Sequence, residues 1–453
     1  MNRSAEIAQY ALAGPQRRIL LGTNDIAGQL LDLADGFRQL GQRVTSVVNT
    51  RNPFYPHHQY DVALDSDPID WGRAAKIATG YAPRPIRDGL NRSARLGRLV
   101  KLIARHDVFV FLWGGESLRW GTEIPFLKRL GKKVVWIFCG DDVRHSSAFF
   151  QEFSSIVLSA NHSERLTEDE LARPLESIRL AELYCDLIIS QPNQSGLAVR
   201  PYNHFFVPIN LSPFKSRIPG RDIPVIVHAP SVKSVKGTDR ILQALERLKF
   251  GGLEFELRLL EGISNQQVLA ELQDADVVVD QLHFPLHGKL GVEAMASGCA
   301  LATCNREDYE PIPPNRPIWH VEPHNLYERL RELLSDRGLR IRLATEGRTY
   351  VEKYHDHVEV VKRIIRAWDG DVEYDHYPTF FACKYELPER TVIPDRLKRM
   401  TSKIVQRWGL PEGIEPEAMI RRGLMSPLGL SSAIPRWTVA QGTTAVARPP
   451  MLR

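Results

Sequence analysis

The chain has 453 residues, of which 43% are hydrophobic and 25% charged. Those fractions exclude collagen-like, coiled-coil and wholly disordered chains, and the length suits two or three domains. The net charge is +5, but residues 390–453 carry a surplus of +7 and residues 71–105 one of +8, which leaves the rest at −10. The composition therefore describes a mildly acidic body with two basic segments rather than a general polyanion binder.

The five cysteines, Cys139, Cys185, Cys299, Cys304 and Cys383, are odd in number and form no Cys-x-x-Cys. Neither a disulfide framework nor a zinc ribbon is expected, and a reducing compartment fits best. No run approaches the ~18 apolar residues of a membrane span. The expectation is a cytoplasmic protein, with peripheral contact to the inner membrane face as a further reading of the basic segments.

In chain order, residues 18–21 read as a strand, 28–40 as an amphipathic helix and 44–48 as a second strand. Strands follow at 108–112, 133–138 and 186–190, all apolar on both faces, as parallel strands covered by helices must be. Prolines punctuate residues 201–219, and the alternation then restarts. Strands are expected at 224–228, 255–260, 276–280 and 300–303, with helices at 237–249, 265–274 and 290–297 between them. Residues 351–368 read as one long helix. Two βα series separated by a proline-rich linker predict an α/β protein of two Rossmann-like, doubly wound domains facing a cleft. The expected divisions are an N-terminal extension at 1–16, a first domain at 17–205 and a second at 206–350. A helix at 351–368 returns toward the first domain, and a basic, proline-containing tail occupies 369–453.

Ligands of such sheets bind outside the carboxyl ends of the strands. His228-Ala229-Pro230-Ser231 closes one strand, and Lys233 and Lys236-Gly237-Thr238 lead into a helix. Lysines beside a helix start attract anions; a solvated loop eased by Gly237 is the alternative. A second glycine-flanked loop, His287-Gly288-Lys289-Leu290-Gly291, runs into a helix carrying Glu293 on an otherwise apolar segment. Its glycines allow close backbone approach to a ligand. A carboxylate there needs a partner, such as the two hydroxyls of a ribose.

These pieces together resemble the donor half of the retaining glycosyltransferases of family 4, or group 1, with the GT-B fold. The resemblance rests on His228-Ala-Pro-Ser, Val235-Lys-Gly-Thr-Asp239, Val279-Asp-Gln-Leu282 and Glu293-Ala-Met-Ala-Ser-Gly298. Upstream, Gly140-Asp-Asp-Val-Arg144 and Cys185-Asp-Leu-Ile-Ile-Ser190 are similar to first-domain segments of that family. The likeness covers roughly residues 17–368. It implies sugar transfer from a nucleotide-sugar to a saccharide or lipid-linked acceptor, in polysaccharide, glycolipid or related glycoconjugate synthesis. Retention, metal independence and no cofactor beyond the nucleotide-sugar co-substrate go with it. Ser231, Lys233, Lys236 and Gly237 would meet the donor diphosphate. His287, Gly288, Lys289 and Leu290 would cradle the distal phosphate or sugar, and Glu293 would hold the ribose.

Two positions depart from the family pattern. Pro285 stands where a first glutamate is common, and Cys139 where a histidine is common; both family residues concern the sugar. A catalytically inactive GT-B protein that binds nucleotide-sugar or scaffolds a glycosylation complex is therefore the alternative. Another GT-B enzyme, such as a nucleotide-sugar epimerase, is the third reading. Asp25, Gly28, Asp142 and Arg144 are acceptor-side or catalytic candidates by position, with Asp142 read as a base or a polar anchor; caps and turns are the competing explanation. The Asp65-Ser66-Asp67 triplet reads as a polar turn rather than a metal pair.

In residues 91–105, helical spacing puts Leu96, Leu99, Val100 and Ile103 on one face and Arg98, Lys101 and Arg105 opposite. Residues 395–408 have the same character. A helix packed on the first sheet with a solvated basic face is one reading, and contact with anionic lipid or with a lipid-diphosphate acceptor is the other. No RNA-recognition or helix-turn-helix pattern accompanies them, so nucleic acid is not an expected partner.

Overall fold

The computed structural model describes residues 15–64, 96–113, 123–144, 149, 153, 168–191, 197–307, 313–370, 374, 392–427 and 434–437. Most of the extension at 1–16, the Asp65-Ser66-Asp67 triplet, residues 91–95 and residues 438–453 lie outside the described residues. Strands β1 (Arg18–Thr23), β2 (Arg43–Val48), β3 (Val62–Ala63), β4 (Val108–Leu112), β5 (Lys133–Phe138), β6 (Leu187–Ser190) and β7 (Asn203–His204) form one parallel sheet. Its order is β3-β2-β1-β4-β5-β6-β7. Strands β8 (Val225–His228), β9 (Glu256–Leu259), β10 (Val277–Val279), β11 (Ala300–Thr303) and β12 (Trp319–His320) form a second, in the order β12-β11-β10-β8-β9. The chain thus builds two Rossmann-like α/β domains. The inner strands are buried along their whole length, which is why they read as unbroken apolar runs. The edge strand β9 instead mixes Glu256 and Arg258 with leucines and is largely exposed.

The helices are α1 (Gln29–Gln39), α2 (Ile124–Arg129), α3 (Glu168–Tyr184), α4 (Lys233–Lys236), α5 (Thr238–Phe250), α6 (Asn265–Leu272) and α7 (Lys289–Ser297). They continue with α8 (Leu326–Ser335), α9 (Arg337–Tyr354), α10 (His357–Asp369), α11 (Asp395–Trp408) and α12 (Pro416–Arg421). Residues 96–105 are helical as well. The single helix expected at 351–368 is two helices. The chain breaks at His355-Asp356, where the Asp356 side chain accepts from the amides of Val358 and Glu359 and caps α10. The break lets the chain cross back: Ile209 of the linker pairs with Asp356, and α10 packs on α1 of the first domain. Residues 201–219 are not all linker, since β7 extends the first sheet.

The tail is a larger correction. Leu397, Ile404, Val405 and Trp408 of α11 are buried in one cluster with Ile178 and Ala181 of α3 and with Phe109 and Trp136 of the first sheet. Arg179 Nε donates to Thr401 Oγ1 at 2.7 Å, and the Arg200 guanidinium lies 3.9 Å from the Trp408 ring. Residues 393–425 are therefore part of the first domain and not an appendage. The apolar side of α11 is used up by this packing, which leaves only its basic side for any partner.

Residues 96–105 also pack on that layer, but not with the expected face. Leu99, Leu102 and Ile103 turn inward while Leu96 and Val100 are exposed. His106 sets the rotation: its Nδ1 donates to the Leu102 carbonyl and its Nε2 accepts from Thr45. The inward stripe is then 99, 102, 103 and 106, a regular helical face.

Candidate functional site at the domain cleft

All strands of the second sheet are parallel, but their order switches sides between β8 and β10, and the loops leaving these strands meet. His228 closes β8. Its Nδ1 donates to the Val279 carbonyl at 2.7 Å, so its Nε2 accepts from the Thr238 hydroxyl at 2.9 Å. Burial holds this imidazole below its usual range, and it is a neutral tie between β8, β10 and α5. Gly237 has a φ of 75°, and a Cβ there would sit 3.1 Å from Leu282. The glycine thus brings the lysine turn against the loop after β10. Lys236 Nζ donates to Asp280 Oδ1 at 2.6 Å and Gln281 Oε1 at 2.9 Å. Its charge sits at the switch point, paired with a fully buried carboxylate.

Lys233 does not join it. It is more than half exposed and pairs with Glu261 on the surface at 2.8 Å. Ser231 is also exposed. Of the first lysine turn, only Lys236 and Gly237 stand at the loop junction.

The glycine loop before α7 is placed differently from the open cradle expected. His287 is buried under it, 5.4 Å from the His355 ring and 6.2 Å from Tyr350. Gly288 precedes the helix with open space where a Cβ would stand. Leu290 is half-buried against the apolar cluster that holds Met295. Lys289 reaches the other domain: Nζ pairs with the Asp32 carboxylate of α1 and donates to the Pro208 carbonyl at 2.6 Å. Glu293 is buried one turn later and accepts from Asn265 Nδ2 at 3.1 Å. Burial raises its carboxyl to about 7, against the pull of Lys289 and the Asn265 bond.

The first-domain candidates resolve into anchors. Asp142 accepts from the amides of Gly140 at 2.7 Å and Cys139 at 3.2 Å. These bonds close its own loop and give it the role of a polar anchor there. Arg144 pairs with Asp141 and stacks over Phe149 at 4.8 Å and Phe284 at 4.5 Å, the second from the other domain. It is a cross-domain clamp. Asp25 is buried: Oδ1 accepts from the Leu30 amide at 3.1 Å, and Oδ2 from Tyr60 Oη at 2.6 Å and His58 Nδ1 at 3.2 Å. Gly28, φ 76°, lies against Tyr55 and His58. Burial raises the Cys139 thiol well above its ordinary range, so it is no thiolate nucleophile.

Sequence reasoning missed the segment 52–60, Asn265 and Phe284. Only Asn52-Pro53 hinted at the first, as a turn. Asn265 carries only the signal of a helix start, and Phe284 carries no local signal of its contact with Arg144. One group among the described residues has metal-ligand chemistry: Cys304, His320 and Glu322, whose ligand atoms lie within 4.8 Å. There His320 Nδ1 accepts from the Asn305 amide at 2.9 Å, which puts the ring proton on Nε2, 3.1 Å from Glu322. That tautomer completes a hydrogen-bond chain and offers no lone pair to a cation.

No family model and no curated protein matches this chain. Solved structures do match in shape. The Anabaena protein HepE, in a complex with UDP, superposes with a TM-score of 0.50 at 12% identity, over 78% of this chain and all of that one. Sucrose-phosphate synthase from Thermosynechococcus elongatus superposes with a TM-score of 0.52 at 13% identity, over 78% of this chain and 98% of that one. The two sheets and the crossover helix between them therefore have the two-domain GT-B fold of these glycosyltransferase structures.

Proposed function

We propose that this protein transfers a sugar from a nucleotide-sugar to an acceptor held by the first domain. The observation that carries the reading is the placement of Lys236 at the end of α4 and of Lys289 and Glu293 on α7, beside the switch point of the second sheet, with Lys289 reaching Asp32 of the first domain. Cations there would meet a diphosphate and stabilise it as it leaves, so the reaction calls for no metal from the residues named. Glu293 would accept two ribose hydroxyls, which would satisfy a carboxylate that now holds one described hydrogen bond. The UDP complex of HepE makes uridine diphosphate the first nucleotide to test. Transfer with retention is the stereochemistry that the group 1 resemblance implies. A saccharide or lipid-linked acceptor and a peripheral place at an anionic membrane follow from the same resemblance and from the basic segments. Among the described residues no helix is long and apolar enough to cross a membrane.

Calorimetric titration with UDP is the direct test. Glu293→Ala should weaken binding, and Lys236→Ala should cost about 1.5–3 kcal/mol, the range of a charge-assisted contact. Unchanged affinities would remove both from the site. The alternative, a binding protein without turnover, is favoured by Cys139 and Pro285 and by the Asp280 partner already on Lys236. Release of nucleoside diphosphate from a UDP-sugar decides between the two.

A further inference from the structure

Residues 52–60 form an arm built on the first domain. Asn52 Nδ2 donates to the Asp25 carbonyl at 3.1 Å, and Asn52 Oδ1 accepts from the Phe54 amide at 3.0 Å. The Tyr55 amide donates to the Asn52 carbonyl at 3.1 Å, and the His58 amide to the Tyr55 carbonyl at 3.0 Å. His58 and Tyr60 then tie the far end to the Asp25 carboxylate. With Pro53 and Pro56 inside it, the arm is stiff and moves with the first domain.

Its tip crosses the cleft. The Asn265 amide of the second domain donates to the Phe54 carbonyl at 3.1 Å, while the Asn265 side chain donates to Glu293. One residue therefore holds both the arm and the carboxylate assigned to the ribose. Tyr55, next along the arm, is half-buried within the electrostatic field of Glu293, Asp25 and Asp32, which together with burial raises its phenol. Lys289, assigned to the phosphate or sugar end, is likewise engaged with Asp32 of the first domain and with the Pro208 carbonyl of the linker. Glu293 itself is only 4% exposed.

We propose that the arm is an autoinhibitory cover: residues 52–60 and Asn265 close the nucleotide position at Glu293, and a nucleoside diphosphate must part the domains to enter. This rests on the donor reading above. Because the arm is pinned at both ends to Asp25, the opening is a rigid-body separation of domains and not a flip of the loop. Nucleotide then binds with an apparent affinity reduced by the scarcity of the open form.

The test compares the full chain with Tyr55→Ala and Asp32→Asn, using UDP as the probe. Tyr55→Ala should bind UDP roughly tenfold more tightly, the gain expected when a closed form no longer competes. Asp32→Asn should shift the same way by releasing Lys289. In small-angle scattering, UDP should expand the unmodified protein and leave Tyr55→Ala nearly unchanged. Equal or weaker UDP binding by Tyr55→Ala, with binding by the unmodified protein intact, would overturn the proposal, and weaker binding would make Tyr55 a donor contact. Failure of every variant to bind UDP, ADP, GDP or dTDP would sink the donor reading instead. The cover itself is then still decided without ligand: Tyr55→Ala should lower the Glu293 carboxyl toward its ordinary range in a carboxyl NMR titration, and no change would mean the arm does not close over it.

Discussion

At the scale of single residues, Glu293 makes the sharpest statement about pH. A carboxyl buried with one described hydrogen bond prefers its proton, and its folded-state value near 7 stands above an ordinary 4.5. In the window between, the native state holds a proton that the unfolded chain has lost. Stability therefore falls as pH rises through that window and levels off above it. The total loss is about 3 kcal/mol if the whole shift is expressed. Glu293→Gln keeps an acceptor for Asn265 and removes the titration. The variant should lose less stability between pH 5 and pH 8 than the unmodified protein, measured by urea midpoints at the two values. Parallel losses would mean that the carboxylate is solvated in the native state. The same substitution removes a ribose anchor, so stability at pH 8 and UDP affinity should move in opposite directions. That opposition is the signature of a residue kept for binding at the expense of the fold.

At the scale of elements, α11 carries the clearest contrast between what charge and packing do. Its basic side chains made it look like a surface-seeking helix, yet Leu397, Ile404 and Val405 are buried to 2% exposure or less. Leu397→Ala should cost about 2–5 kcal/mol through the cavity it leaves. Lys403→Ala, on the exposed side, should fall within about 0.5 kcal/mol of no change. Urea unfolding of both variants checks this; equal effects would mean that the helix is held by its charge. The strands and most helices were legible because two-sided apolar runs and helical spacing are local signals. The partner of an amphipathic helix is not a local signal. Nothing within residues 395–408 distinguishes α3 as a partner from a lipid surface, and the deciding contacts, such as Arg179 with Thr401, span more than two hundred residues. The site divides in the same way. Lys236, Lys289 and Glu293 were legible from glycine-flanked loops after strands. That Lys233 turns to Glu261, or that Asn265 and the arm close on Glu293, depends on which loops meet in space. Asp25 and Asp142 make the same point, since a carboxylate after a strand looks the same in sequence whether it binds a substrate or its own loop.

At the scale of the molecule, the domains are joined by two crossings that run side by side. The Ile209 amide donates to the His355 carbonyl at 2.8 Å, and the His357 amide donates back to the Ile209 carbonyl at 3.0 Å. His355 Nδ1 adds a bond to the Val207 carbonyl, and burial lowers that imidazole to about 3, so this ring stays uncharged at the hinge. After the second crossing, α10 docks on α1 with Trp368 stacked on Phe37 at 5.8 Å. The approach is close at Gly36, where a Cβ would stand 2.6 Å from the His357 carbonyl oxygen and 3.0 Å from Val361. A backbone oxygen at the start of a helix cannot yield without moving α10, and α10 cannot move without dragging the paired crossings. Gly36→Ala should therefore cost about 1–3 kcal/mol, as overpacking does. The loss should fall on the first domain, whose core includes Val361, Ile364 and Trp368. The second domain keeps its own core of Ile226, Val277 and Leu330 and has no reason to weaken. Calorimetry should then show an early transition for the first domain moving away from a later one for the second. A single transition shifted as a unit would show instead that α10 couples the two cores so tightly that they unfold together.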